Sequence, residues 1–151
     1  AKRLVGGNGV SRVELAKREF EYRLNEIRIK ELTERAEMAR AKAKLAKFTL
    51  IQAGNGSKTD VRMTIAQKTF EGLQHQMKSL EYALEAAELS KRFYADRVEE
   101  ARRLLEGGHM SRNRFEEIED EFEEAKTAKK SAHGQMDSLR NSISGLARSM
   151  D

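Results

Sequence analysis

The stretch "LLEGGHMS", Leu104–Ser111, decides the fold: two glycines and a serine separate two long proline-free runs of helix-forming residues. The same pattern occurs earlier as "LVGGNGVS", Leu4–Ser11. Displacing the chain by 100 residues lays Ala1 on Ala101, Arg3 on Arg103, Leu4 on Leu104, Gly7 on Gly107, Ser11 on Ser111 and Arg12 on Arg112. Glu19 then falls on Glu119 and Glu21 on Glu121, with Val10/Met110, Leu15/Phe115 and Tyr22/Phe122 as conservative matches. A fixed period signals a repeat architecture, so residues 1–22 and 101–122 read as two copies of one unit. Glycine supplies the backbone conformations that end a helix, and serine caps the next one. Each copy is therefore a place where the chain reverses.

Working outward, 151 residues suit a single domain, 1–151. The absence of proline and a charged fraction of 36%, carried mainly by Glu, Lys and Arg among Ala and Leu, point to long helices or coiled coils. Aromatics at 6% and no Trp leave material for a narrow seam and not for a thick core, so the fold should be elongated. Lys and Arg alternate with Asp and Glu around a net charge of +4, which describes an ion-paired surface and disfavours a nucleic-acid stripe. With no cysteine there can be no disulfide, thiolate metal site or cysteine nucleophile. No run approaches the roughly 20 apolar residues that cross a bilayer.

Helix A is expected from about Ser11 to Ala53, opened by the capping box "SRVE", in which the Ser11 hydroxyl accepts a backbone N–H and Glu14 reaches back. With Leu15 as heptad position a, Leu15, Tyr22, Ile29, Ala36, Ala43 and Leu50 form one stripe with Leu32, Ala39 and Ala46 at d; Arg18 and Asn25 are polar gaps at d. A second stripe, Phe20, Leu24, Ile27, Met38, Ala41, Leu45 and Phe48, lies beside the first and makes an apolar face wider than one two-stranded seam needs, so this helix should touch more than one neighbour. "AGNGSKTD", Ala53–Asp60, reads as the far turn. Helix B, about 60–106, carries Met63, Phe70, Met77, Leu84, Lys91, Val98 and Leu105 at a, with Ala66, Leu73, Leu80, Ala87, Tyr94 and Ala101 at d. After a tip turn at 107–110, helix C, about 111–150, has Phe115, Phe122, Lys129, Met136, Ile143 and Met150 at a, and Ile118, Ala125, Ala132, Leu139 and Leu146 at d.

Short turns between long helices make sequential neighbours antiparallel, so the fold class is all-α: an elongated antiparallel three-helix coiled-coil bundle. Helices A and C should also be neighbours, because the acidic run "EEIEDEFEE", Glu116–Glu124, matches the levels of Arg12, Lys17, Arg18, Arg23 and Arg28. In this register Lys129 should lie near Glu88 and Arg18 near Asp96. His75 falls at an outward heptad position, His109 in the tip turn and His133 beside the seam, with no second His or Cys at ligand spacing. No metal, cofactor or catalytic residue is expected, since no P-loop, nucleophile elbow or dinucleotide fingerprint is present.

The pattern Leu-x-x-x-Gly-x-x-Ser, here Leu104, Gly108 and Ser111 before the acidic heptads of helix C, resembles the coiled-coil hairpin tip of periplasmic adaptor (membrane-fusion, HlyD-like) proteins. In that family the tip carries an Arg, a Leu and a Ser and engages the helical end of a TolC-type outer-membrane channel. Leu104 and Ser111 match by position, whereas the Arg position holds Glu100, with Arg102 and Arg103 displaced. The first copy keeps Leu4 and Ser11 but has Asn8 at the glycine's place, and nothing in the chain reads as the strands of the lipoyl and barrel segments. TolC-type channels, which carry two related helical hairpins, are the second family the repeat resembles. The resemblance implies an extracytoplasmic, periplasmic helical hairpin that presents Leu104, Gly108, Met110, Ser111 and Arg112, with Leu4, Val10, Ser11 and Arg12 in the other copy, to another protein or to itself.

The residues alone leave two other readings open: a structural spacer made of helical repeats of about 100 residues, or a cytoplasmic coiled-coil scaffold. None of the three is enzymatic, and in the spacer the turns merely connect. The repeat register further suggests that the chain spans about one and a half units of a longer protein.

Overall fold

The computed structural model describes residues 11–52 and 58–150. They form three helices, α1 (Arg12–Gln52), α2 (Lys58–Glu106) and α3 (Arg112–Met150), with no strand among the described residues. Most of the far turn, including its Asn-Gly step, and residues 1–10 with Leu4 and Val10 lie outside the described residues. At about 1.5 Å per residue α2 is roughly 70 Å long. Apart from Phe20 the buried side chains are small or medium, and no large side chain among the described residues is fully buried. That is the narrow seam the composition predicts.

The tip shows why the chain turns where it does. Gly108 adopts φ +73°, a conformation open to glycine and strained for residues with a Cβ. The amide of His109 donates to the Leu104 carbonyl (2.8 Å) and that of Gly108 to Leu105 (3.1 Å), which is the hydrogen-bond pattern of a Schellman helix end. Two residues on, the Ser111 hydroxyl accepts from the Arg114 amide at 3.2 Å and starts α3. Ser11 does the same for α1, accepting from Glu14 at 3.1 Å. The expected return contact of a capping box is replaced: the Glu14 carboxylate instead accepts from Arg18 Nε at 3.2 Å.

α1 packs on α2 and α2 on α3, each pair antiparallel, but among the described residues no Cα of α1 comes within 8 Å of one in α3. The expected contact between the first and third helices is therefore absent. Its electrostatic argument fails because the charges are satisfied locally: Arg18 bonds Glu14, Arg23 bonds Glu19 (2.8 Å), Arg114 bonds Glu117 (2.8 Å) and Lys126 bonds Glu123 (2.7 Å), each within one helix. Exposed pairs three or four residues apart cost little to form and remove the incentive for longer-range pairing. Arg18 accordingly does not meet Asp96. Lys129 does meet Glu88, at 3.6 Å.

α2 binds its two neighbours on nearly opposite faces. Toward α3 it uses the expected a and d positions, with Val98 and Ala101 buried against Ile118, and Met110, Phe115 and Phe122 packed around them. Toward α1 it uses c and f positions. Phe93 stacks on Phe20 (centroids 4.0 Å apart, planes within 1°), and the Lys68 ammonium lies 5.5 Å from the Phe48 ring. At Gly72 the helices run close enough that a Cβ would touch Ala41 Cβ at 3.9 Å. Buried Ser79 continues the seven-residue series from Gly72 to Ala86 and Phe93. The helices thus form a row with α2 in the middle.

Candidate interaction surfaces

The row turns α1 over relative to its most apolar heptad. The stripe that faces α2 is the second one: Phe20, Ile27 and Ala41 are buried, with Leu24, Met38, Leu45 and Phe48 half-buried beside them. This stripe continues through two glutamates, Glu31 and Glu34, whose side chains are 15% and 18% exposed. Glu34 reaches across to α2 and meets His75 Nδ1 at 2.8 Å, so His75 is an inward residue of the α1 seam and not the outward one its a/d frame suggested.

The first stripe of α1 consequently faces solvent. Leu15, Tyr22, Ile29 and Leu32 are 55–66% exposed, and Ala36, Ala39, Ala43 and Ala46 prolong the same line without cover. From Leu15 to Ala46 it runs roughly 45 Å at the helical rise. In one heptad frame the a/d and c/f positions lie on opposite sides of a helix, which explains how α1 can be apolar twice over yet present no single apolar face. The outward c and f positions of α3 are different: Glu117, Asp120, Glu124, Thr127, Ser131 and Ser138 are polar and exposed. One end of the row is finished with polar residues. The other is left apolar.

A groove of about 390 Å³ runs between α1 and α3 over the small residues Ala83, Ala86, Ala87 and Ser90 of α2, with Arg28 on one wall and Glu121 and Glu124 on the other. Tyr94 stands in it, its phenol pushed above the ordinary range by burial, with the Glu121 carboxylate adding to the effect. Nothing in this groove assembles a nucleophile with a base. Among the described residues no group of three His, Asp or Glu side chains could hold a metal ion, and no helix is long and apolar enough to cross a membrane.

At the tip, the residues expected to meet a partner already have local work. Ser111 caps α3, Gly108 makes the turn, and Met110 packs half-buried against the Val98, Ala101 and Ile118 cluster. Leu104, at 37% exposed, and Arg112, bonded to Glu116 at 3.4 Å, face solvent there. In the first copy Ser11 and Arg12 are exposed at the start of α1. The α1 stripe was visible in the sequence as a heptad; that it remains uncovered was not.

Comparison of the sequence with protein-family models and with curated proteins, and of the fold with solved structures, gave no match.

Proposed function

We propose that the chain is a non-enzymatic coiled-coil module that works by protein–protein contact, a repeat-built helical spacer whose contact surface is the outward stripe of α1. The observation that carries this reading is the contrast between the two ends of the row: large apolar side chains at heptad spacing stand in water on α1, while the corresponding outer face of α3 is polar. Large apolar side chains exposed in a row, here with only Arg18 and Asn25 between them, mark a binding site. The apolar heptad also fixes the kind of ligand, since side chains three and four residues apart on a helix suit another helix.

The test exploits the stripe's lack of any role inside the chain. Tyr22→Lys, Ile29→Lys and Leu32→Lys together should leave the melting temperature within about 6 °C of the parent, because surface changes stay within about 0.5 kcal/mol each. A fall of roughly 10 °C or more would place the stripe in the folded core and remove the reading.

An end-on contact through the exposed Leu104, in an envelope adaptor of the kind the tip resembles, is the second reading. The exposure of Leu104 and Arg112 at the hairpin end favours it. It differs from the first in placing the partner at the end of the rod and not along its side.

A further inference from the structure

We propose that the outward stripe of α1 is a seam for a helix of α2's kind, supplied by another repeat of the same design and running antiparallel to α1. The row of helices would then continue past α1 through the same type of contact that joins α2 to α3. This rests on the reading of the stripe as an open contact surface and goes further by naming what covers it.

Three observations specify the occupant. From Ser11 and Ser111 onward the two sequence copies open their helices alike: the Ser11 hydroxyl accepts from the Glu14 amide (3.1 Å) as Ser111 does from Arg114 (3.2 Å). The Leu15 amide likewise donates to the Ser11 carbonyl at 3.0 Å, as Phe115 does to Ser111 at 3.1 Å. α1 is therefore the counterpart of α3 and not of α2. In that register the exposed stripe of α1 falls on the covered seam of α3: Leu15 on Phe115, Tyr22 on Phe122, and Leu32 on buried Ala132. What covers α3 there is the a/d face of α2. The counterpart surface on α1 calls for the counterpart helix.

A second copy of this chain cannot supply it intact, because its own α2 already spends that face on α3. The α1 stripe also differs from α3 in a way that refines the ligand. Arg18 takes the place of buried Ile118, which packs with Val98. Covering the stripe takes water from Arg18, whose present partner Glu14 (3.2 Å) forms only an exposed pair, so an acid where α2 has Val98 would give the covered guanidinium a second partner.

The chain's lack of cysteine makes the test direct. The full chain carrying Tyr22→Cys, an exposed position that should not disturb folding, is mixed with a synthetic peptide of the sequence 60–106 bearing Val98→Glu and Tyr94→Cys, in a glutathione redox buffer. Antiparallel docking in the α2/α3 register brings these two thiols together, whereas a peptide with its thiol at Phe70→Cys places it near the other end of the rod. The expected result is a mixed disulfide with the first peptide at about ten times the yield of the second. Arg18→Glu in the chain should weaken non-covalent binding of the Val98→Glu peptide about tenfold, with recovery when the peptide carries Val98→Lys. Equal yields from the two peptides, no mixed disulfide, or preferential Tyr22→Cys homodimers of the chain would each overturn the inference. None of these results would alter the melting behaviour of the stripe variants, so failure here is separable from failure of the proposed contact surface.

Discussion

Phe20→Ala is expected to destabilise the protein by about 4 kcal/mol, and Tyr22→Ala, two residues further on, by less than about 0.5 kcal/mol. Phe20 is 9% exposed, stacks on Phe93 at 4.0 Å and meets the edge of Tyr94 at 6.0 Å. Removing its ring loses the transfer energy of a large aromatic, leaves a hole between two helices that meet along a single line, and abolishes an aromatic pair worth about 1 kcal/mol by itself. Tyr22 is 66% exposed and contributes little to that seam. Thermal unfolding followed by circular dichroism reads both. At roughly 2–4 °C per kcal/mol for a chain of this size, the first should lower the midpoint by about 10 °C and the second by about 1 °C. The reverse order would mean that α1 packs by its other stripe.

The second large effect is expected at the opposite face of α2. Ile118 is 3% exposed and lies against Val98 and Ala101, ringed by Met110, Phe115 and Phe122. Ile118→Ala should cost about 3 kcal/mol, within the range of a buried branched side chain cut to alanine. The cluster includes Met110, the one tip residue drawn into the core, so the loss should also loosen the turn. Faster hydrogen exchange at the Gly108 and His109 amides, both bonded across the helix end, would report it. Unchanged stability would show that α3 is held elsewhere along its length.

These two positions also show which parts of the fold were legible. The α2/α3 seam could be read directly, because α3 is apolar on one side only: Ile118, Ala125, Ala132, Met136 and Leu139 are all buried at the positions their heptad assigns. The α1/α2 seam was hidden twice. On α1 it is interrupted by Glu31 and Glu34, and the competing Leu15 to Ala46 stripe is gapped as well, at Arg18 and Asn25, so neither stripe stands out by its letters. On α2 it is built from Gly72, Ser79 and Ala86, whose smallness lets the helices approach but leaves no hydrophobic signal. Shape, through the Phe20/Phe93 stack and the Gly72/Ala41 approach, decided what counting apolar residues could not.

The site was legible in the same uneven way. The glycine turn and serine caps at the tip followed from local chemistry, and the structure gives each a hydrogen bond that accounts for it. The repeat was visible as a register of letters. Its consequence, that α1 stands as α3 does but with the corresponding face bare, depends on knowing which way α1 is turned. Glu34 and His75 illustrate the limit: 41 residues apart in sequence, they meet across a seam that neither residue type advertises.

The central claim is that α1 and α3 lie on opposite faces of α2, with the a/d stripe of α1 turned outward. Nitroxide labels on cysteines introduced at Asn25 and Thr127, both exposed and in an otherwise cysteine-free chain, measure it by electron–electron distance spectroscopy. A row of three helices, each about 10 Å wide, predicts a separation of ~30 Å. A single distance below about 20 Å, as in a closed triangle of helices with Asn25 turned toward α3, would contradict it.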